Sequence, residues 1–89
     1  MPQVKIPPPY RGPTQGQSMV AVDGRVVGDC LKALADGYPG LGELLLGPDG
    51  EVHRFVTLFV NTNEIDRSAL DTPIAEGDEL EILTAVAGG

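Results

Sequence analysis

Apolar and polar residues alternate, cluster and alternate again along this chain, and each change of period marks an element. Val4-Lys5-Ile6 alternates briefly and stops at Pro7-Pro8-Pro9, where three backbone donors in a row are missing, so a first strand is expected to end there. Tyr10 to Gln17 carries Gly12, Pro13 and Gly16 and reads as loop. Alternation resumes at Ser18-Met19-Val20-Ala21-Val22, with Val20 and Val22 on one face; the two strands read as a hairpin with a long connection, closed by Asp23-Gly24. From Val26 to about Asp36 the period changes. Val27, Leu31, Leu34 and Tyr38 fall at i, i+4, i+7 and i+11, one face of a helix, and Gly37, Pro39 and Gly40 stop it. Leu41 and Leu44-Leu45-Leu46 suggest a short helical turn over the core, and Gly47-Pro48-Asp49-Gly50 predicts a tight turn.

Glu51 to Val60 is the most strand-like stretch and is apolar on both parities. Val52, Val56, Leu58 and Val60 share one parity, interrupted by Arg54; His53, Phe55, Thr57 and Phe59 share the other. β-Branched residues dominate the even set, which is therefore assigned to the core beneath the helix. One helix covers one face of a sheet. The assignment thus leaves Phe55 and Phe59, the chain's two phenylalanines, on an open face, as a docking surface requires. Reversed parity would put the phenylalanines in the core instead. Asn61-Thr62-Asn63 reads as a turn, Glu64-Ile65-Asp66 as a brief edge strand, and Ser68 to Thr72 as loop or one 3₁₀ turn. Ile74 to Glu79 leads into a last strand in which Leu80 and Ile82 point inward and Leu83 points toward the phenylalanine face. This order predicts an α+β domain, with one main helix crossing one face of a mixed sheet of four to five strands.

The length of 89 residues suits one domain with a single core. With 42% hydrophobic and 21% charged residues the chain reads as an ordinary globular protein. No apolar run approaches the ~18 residues of a membrane span, and the first residues lack a signal-peptide pattern, so a cytoplasmic location and no membrane partner are expected. One cysteine, Cys30, and one histidine, His53, are too few for a metal site. Cys30 lies beside the helical stripe with no Lys or His placed to lower its pKa, and reads as core. Thirteen acidic residues against six basic ones give a net charge of −7, which repels phosphate backbones and favours a partner with a basic docking surface; no nucleic-acid partner is expected. No Ser/His/Asp or Cys/His arrangement is present, and a lone histidine on a strand reads as packing or surface, so the chain is not expected to be an enzyme.

The ending stands apart. Thr84-Ala85-Val86-Ala87-Gly88-Gly89 has no charge and no bulky side chain, so residues 1–83 are expected to form the domain and 84–89 a flexible tail. Disordered termini are usually rich in Ser, Lys or Glu. This sparse, apolar one suits a tail threaded into another protein's slot, where its final carboxylate is worked on; glycine lacks a Cβ and lets the slot's walls approach the main chain.

Ile74-Ala75-Glu76-Gly77-Asp78-Glu79-Leu80-Glu81-Ile82-Leu83, followed by Ala85-Val86-Ala87-Gly88-Gly89, is similar to the "acidic-Gly-Asp-Glu, strand, Val-Ala-Gly-Gly" ending of the MoaD/ThiS family of small sulfur carriers, which share the ubiquitin-like β-grasp fold. Val60-Asn61 and the position of the helix fit as well, and the resemblance covers nearly the whole chain. His53-Arg54-Phe55-Val56 followed by Phe59-Val60-Asn61 looks most like the branch whose thiocarboxylate supplies sulfur for cysteine synthesis. The molybdopterin-synthase small subunit, the thiamin-thiazole carrier and carriers for transfer-RNA thiolation have closely similar endings.

The resemblance implies a cycle. An ATP-dependent enzyme related to the ubiquitin-activating enzymes adenylates Gly89, a sulfur donor protein or sulfide displaces AMP, and the resulting thiocarboxylate passes sulfur to an accepting synthase; a metalloprotease then releases product from the tail. ATP is used by the activating enzyme, and no cofactor is expected on the carrier itself. In this cycle Ala85, Val86, Ala87 and Gly88 thread the slot, while Phe55, Phe59 and Leu83 form the partner patch. The chemistry agrees: a terminal carboxylate with a pKa near ~3.5 is ionised at neutral pH and a poor electrophile until it is given a leaving group. Two rivals remain open, a protein modifier joined to lysines through Gly89 and a non-covalent β-grasp interaction module.

Overall fold

The computed structural model describes residues 1–84. Its five strands, β1 (Gln3–Lys5), β2 (Met19–Ala21), β3 (Val56–Val60), β4 (Asn63–Ile65) and β5 (Glu79–Thr84), form one sheet in the order β2-β1-β5-β3-β4. The last strand therefore sits in the middle, parallel to β1 and antiparallel to β3. Parallel neighbours cannot be joined by a tight turn. The chain between β1 and β5 supplies the crossover, carrying the helices α1 (Val27–Gly37) and α2 (Pro39–Leu45). This is the mixed β-grasp sheet with one main helix.

α1 buries Val27, Cys30, Leu31 and Leu34 completely or nearly so, and Tyr38 packs at the edge of the same cluster. The sheet answers with Val4, Val20, Leu58, Leu80 and Ile82, all on its inner face. Val56 at 2% and Leu58 at 0% exposure confirm the even parity of β3 as the core side. α2 is a seven-residue helix rather than a brief turn, and it begins at Pro39. Proline at the first helical turn lacks only a donor that would be unpaired anyway, so the residue that stops α1 also starts α2. Gly42 lets the two helices touch: a Cβ there would lie 2.8 Å from the Ala35 Cβ.

The strand expected over Glu51 to Val60 is shorter than its alternation suggests. Val52 makes only an isolated bridge to Leu46. The His53 amide then donates to the Leu45 carbonyl (2.9 Å) and the Val56 amide to the His53 carbonyl (3.0 Å), a turn that delays β3 until Val56. Phe55 consequently stands on that turn and not in the sheet. The β3–β4 connection is a two-residue hairpin loop, with φ of 49° at Asn61 and 74° at Thr62. Two positive values are the mark of a type I′ turn, whose twist matches that of the strands. β4 starts at Asn63, one residue before the expected edge strand, and Asp66 instead accepts bonds from the Ser68 amide and hydroxyl. β5 runs through Thr84, which pairs with Val56 and so belongs to the sheet.

Candidate functional site

The site is the root of the C-terminal segment and the open sheet face beside it. β5 is set in register by a turn and a clamp. The Asp78 amide donates to the Ala75 carbonyl (3.0 Å), with Gly77 at φ 93°, a backbone angle that glycine reaches without the strain a Cβ brings. The Asp78 carboxylate accepts from the Ala75 amide (2.8 Å) and from the Asn61 side-chain amide (2.9 Å). Asn61 completes the loop: its side-chain oxygen accepts from the Glu79 amide, and its own amide donates to the Glu79 carbonyl, both at 2.9 Å. These bonds to the charged form, the Ala75 amide first and Asn61 second, hold the Asp78 carboxyl below the usual aspartate range. The Gly-Asp-Glu run and the distant Val-Asn pair are thus two halves of one device that starts the strand leading to the terminus.

Across the open face, Met19, Lys5, Glu81, Phe59 and Glu64 lie in one row by register. Lys5 and Glu81 form an ion pair at 3.7 Å. Leu83, opposite Thr57, is the next outward residue of β5 after Glu81, which places it diagonally from Phe59. Leu83 is 42% exposed and Phe59 half-buried. Two of the three expected patch residues therefore share the face. Phe55, also 42% exposed, stands on the preceding turn with its ring stacked on His53, centroids 5.0 Å apart. The reading from sequence missed two contributors. Met19, 40% exposed, was legible as the residue alternating with buried Val20. Tyr10, whose hydroxyl lies 3.0 Å from that of Thr84, sits in a segment read as loop and had no periodic signal.

Ala85, Val86, Ala87, Gly88 and Gly89 lie outside the described residues. Cys30 is buried in the core, and desolvation, followed by the negative charges of Asp29 and Asp23, raises its thiol pKa, the opposite of an activated nucleophile. A shallow groove between α2 and the loop after it, lined by Ala35, Gly42, Glu43, Leu46 and His53 among others, contains no Ser, Cys or Lys. Among the described residues there is no cluster of three His, Cys, Asp or Glu that would hold a metal ion, and no helix long and apolar enough to cross a membrane.

Comparison with known proteins agrees with this geometry. Residues 5–89 match the model of the ThiS family. The sulfur carrier protein CysO of Mycobacterium tuberculosis is 42% identical over 97% of this chain and 96% of its own. A chain of the Amycolatopsis orientalis BexX/CysO complex superimposes with a TM-score of 0.88 at 31% identity, covering all of both chains. SAMP1 from Haloferax volcanii superimposes with a TM-score of 0.81 at 30% identity over 99% of this chain and 98% of that one.

Proposed function

This chain belongs to the ThiS family, and from that membership we infer that it is a sulfur carrier, a protein co-substrate rather than an enzyme. The observation that carries the reading is the likeness to CysO over 97% of the chain, together with a ThiS-family match that runs through residue 89. In this reading an activating enzyme joins the Gly89 carboxylate to the α-phosphate of ATP and releases pyrophosphate. A sulfur nucleophile then displaces AMP, and the thiocarboxylate serves an enzyme that builds sulfur into a metabolite, with cysteine synthesis as the pathway that the CysO likeness favours.

The carrier's own part is physical. A Gly89 thiocarboxylate keeps its negative charge largely on sulfur and is a nucleophile at neutral pH without release of free sulfide. Ala85 to Gly88 offer small side chains that let a slot close around the main chain. Phe59, Leu83 and Phe55 supply the apolar docking contact; Glu64 and Glu79 flank it while Glu81 is paired with Lys5, and these carboxylates together with the chain's net charge of −7 favour a basic rim on the partner. A complex of a CysO chain with a second protein, BexX, is in keeping with docking onto partner enzymes.

Extending the chain by one residue beyond Gly89 tests the reading. Wild-type protein is expected to stimulate ATP–pyrophosphate exchange by its activating enzyme, and the extended chain to be inert. Equal activity of the two contradicts a role for the terminal carboxylate. The likeness to SAMP1, small archaeal modifier protein 1 of Haloferax volcanii, favours one alternative, attachment of Gly89 to lysines of other proteins. Isopeptide-linked ladders in place of a thiocarboxylate would establish it.

A further inference from the structure

β1 accompanies β5 only as far as the pairing of Lys5 with Glu81. Beyond it the Ile6 amide continues the ladder to β2 by donating to the Ser18 carbonyl, and the next position facing β5 is Pro7, which has no N–H to donate. Over Leu83 and Thr84, β5 therefore keeps β3 on one side, through Thr57–Leu83 and Val56–Thr84, and has no strand on the other. A central strand becomes an edge over its final residues. Tyr10 stands at that position. The 3₁₀ turn Pro8–Tyr10 is held by the Tyr10 amide on the Pro7 carbonyl (2.9 Å) and by the Arg11 Nε–H on the Ile6 carbonyl (3.1 Å). It buries the ring to 7% exposure and brings the hydroxyl 3.0 Å from Thr84 Oγ1 across 74 residues of sequence. Thr84 has the inward parity of Leu80 and Ile82, so it is gripped from the core side while Leu83 faces outward.

We propose that Tyr10 is a positioning residue: its bond to Thr84 sets the direction in which the chain leaves the sheet and so aims the terminal carboxylate at the nucleotide in the activating enzyme. This rests on the sulfur-carrier reading above. Five residues extended in a slot reach at most ~17 Å, so a turn of about 5° at Thr84 displaces Gly89 by about 1.5 Å. Attack of a carboxylate on phosphorus is in line, and a misplacement of about 1 Å costs up to ~100-fold in rate. Docking at Phe59 and Leu83 fixes the body of the carrier, and the Tyr10–Thr84 bond fixes the angle between body and tail. The plainer role for such a bond, pairing a buried phenol, predicts no effect on loading beyond lost stability.

Tyr10→Phe and Thr84→Val each delete one hydroxyl, and Thr84→Ser restores the hydroxyl without the methyl. Amide hydrogen exchange needs no partner: at Leu83, whose amide faces Thr57 in the ladder, it is expected to accelerate about 2- to 12-fold in Tyr10→Phe and Thr84→Val, the factor of one net hydrogen bond, while Leu58 and Leu80 stay as in wild type. In ATP–pyrophosphate exchange with the activating enzyme, kcat is expected to fall at least as far, with KM for the carrier held within about twofold and Thr84→Ser close to wild type. Unchanged exchange at Leu83, unchanged kcat, or a loss confined to KM overturns the proposal. A wild-type chain that supports no pyrophosphate exchange sinks the carrier reading and this proposal together. Variants loaded as fast as a normally loaded wild type remove the positioning role alone.

Discussion

Leu58 and Phe59 are neighbours on β3 that point in opposite directions, and replacing each with alanine separates folding from docking. Leu58 is 0% exposed, between Ile82 and Ile65. Its truncation leaves a cavity as well as losing burial, a cost of about 3 kcal/mol within the usual ~2–5 for Leu→Ala. At about 4–8 °C per kcal/mol for a domain of this size, Leu58→Ala is expected to lower the melting temperature by about 12–24 °C. Phe59 lies half-buried on the open face between Glu81 and Glu64. About half of the ~1.5–3 kcal/mol for a fully buried Phe is already realised in the free domain, so Phe59→Ala costs about 1 kcal/mol and about 4–8 °C. The other half remains for the partner: docking is expected to weaken by about 1 kcal/mol, roughly fivefold. Thermal unfolding by circular dichroism gives the first pair of numbers, and titration of each variant into the activating enzyme gives the second. If Phe59→Ala melts as low as Leu58→Ala, or binds as tightly as wild type, the face assignment or the docking role is wrong.

Three further expectations concern the strand root and the core. Asn61→Gly keeps the positive φ of the hairpin loop but removes the side-chain bonds to Asp78 and Glu79, so it should melt below wild type at neutral pH. Because the Asp78 pKa is lowered in the folded state, its stabilising contribution is complete above the ordinary value of about 3.9 and disappears as pH falls through the lowered one; the gap between wild type and variant should narrow there to the part carried by the Glu79 amide bond to Asn61, and a gap that does not change with pH contradicts the Asn61–Asp78 half of the clamp. Thr62 has a β-branched side chain at φ 74°, and Thr62→Gly, which creates the favoured Asn-Gly pair, should raise stability by about 0.5–1 kcal/mol; a lower melting temperature would show that the threonine side chain contributes something the turn geometry omits. Cys30, buried and with a raised pKa, should resist iodoacetamide in the native protein at pH 8 and react once unfolded, as read by intact mass; rapid native alkylation would show the core opening or the thiol activated.

Elements whose signal is local were legible from the residues. The 27–31–34–38 stripe located α1, and β-branching on the even positions placed Val56 and Leu58 inside. Elements whose signal is shared between states were not. Val52 is buried like a strand residue because it bridges to Leu46, so alternation runs unbroken through a turn, and Phe55 was carried onto a sheet that begins one residue later. Pro39 and Gly40 read as stop signals although proline equally opens a helix. The resemblance marked Asn61 and Asp78 separately, but no local pattern tells that the side chains of these residues, 17 apart, meet. Tyr10 is the clearest omission. Its burial depends on the 3₁₀ turn after three prolines and on a partner 74 residues away, neither of which leaves a periodic trace.

The most direct test of the account is the intact mass of the wild-type chain after incubation with ATP, its activating enzyme and a sulfur donor. The account predicts a gain equal to the exchange of one oxygen for one sulfur, absent when ATP is withheld and absent from a chain extended beyond Gly89. An unchanged mass under conditions in which the same enzyme consumes ATP on this carrier, or a gain that the extended chain shares, would contradict it.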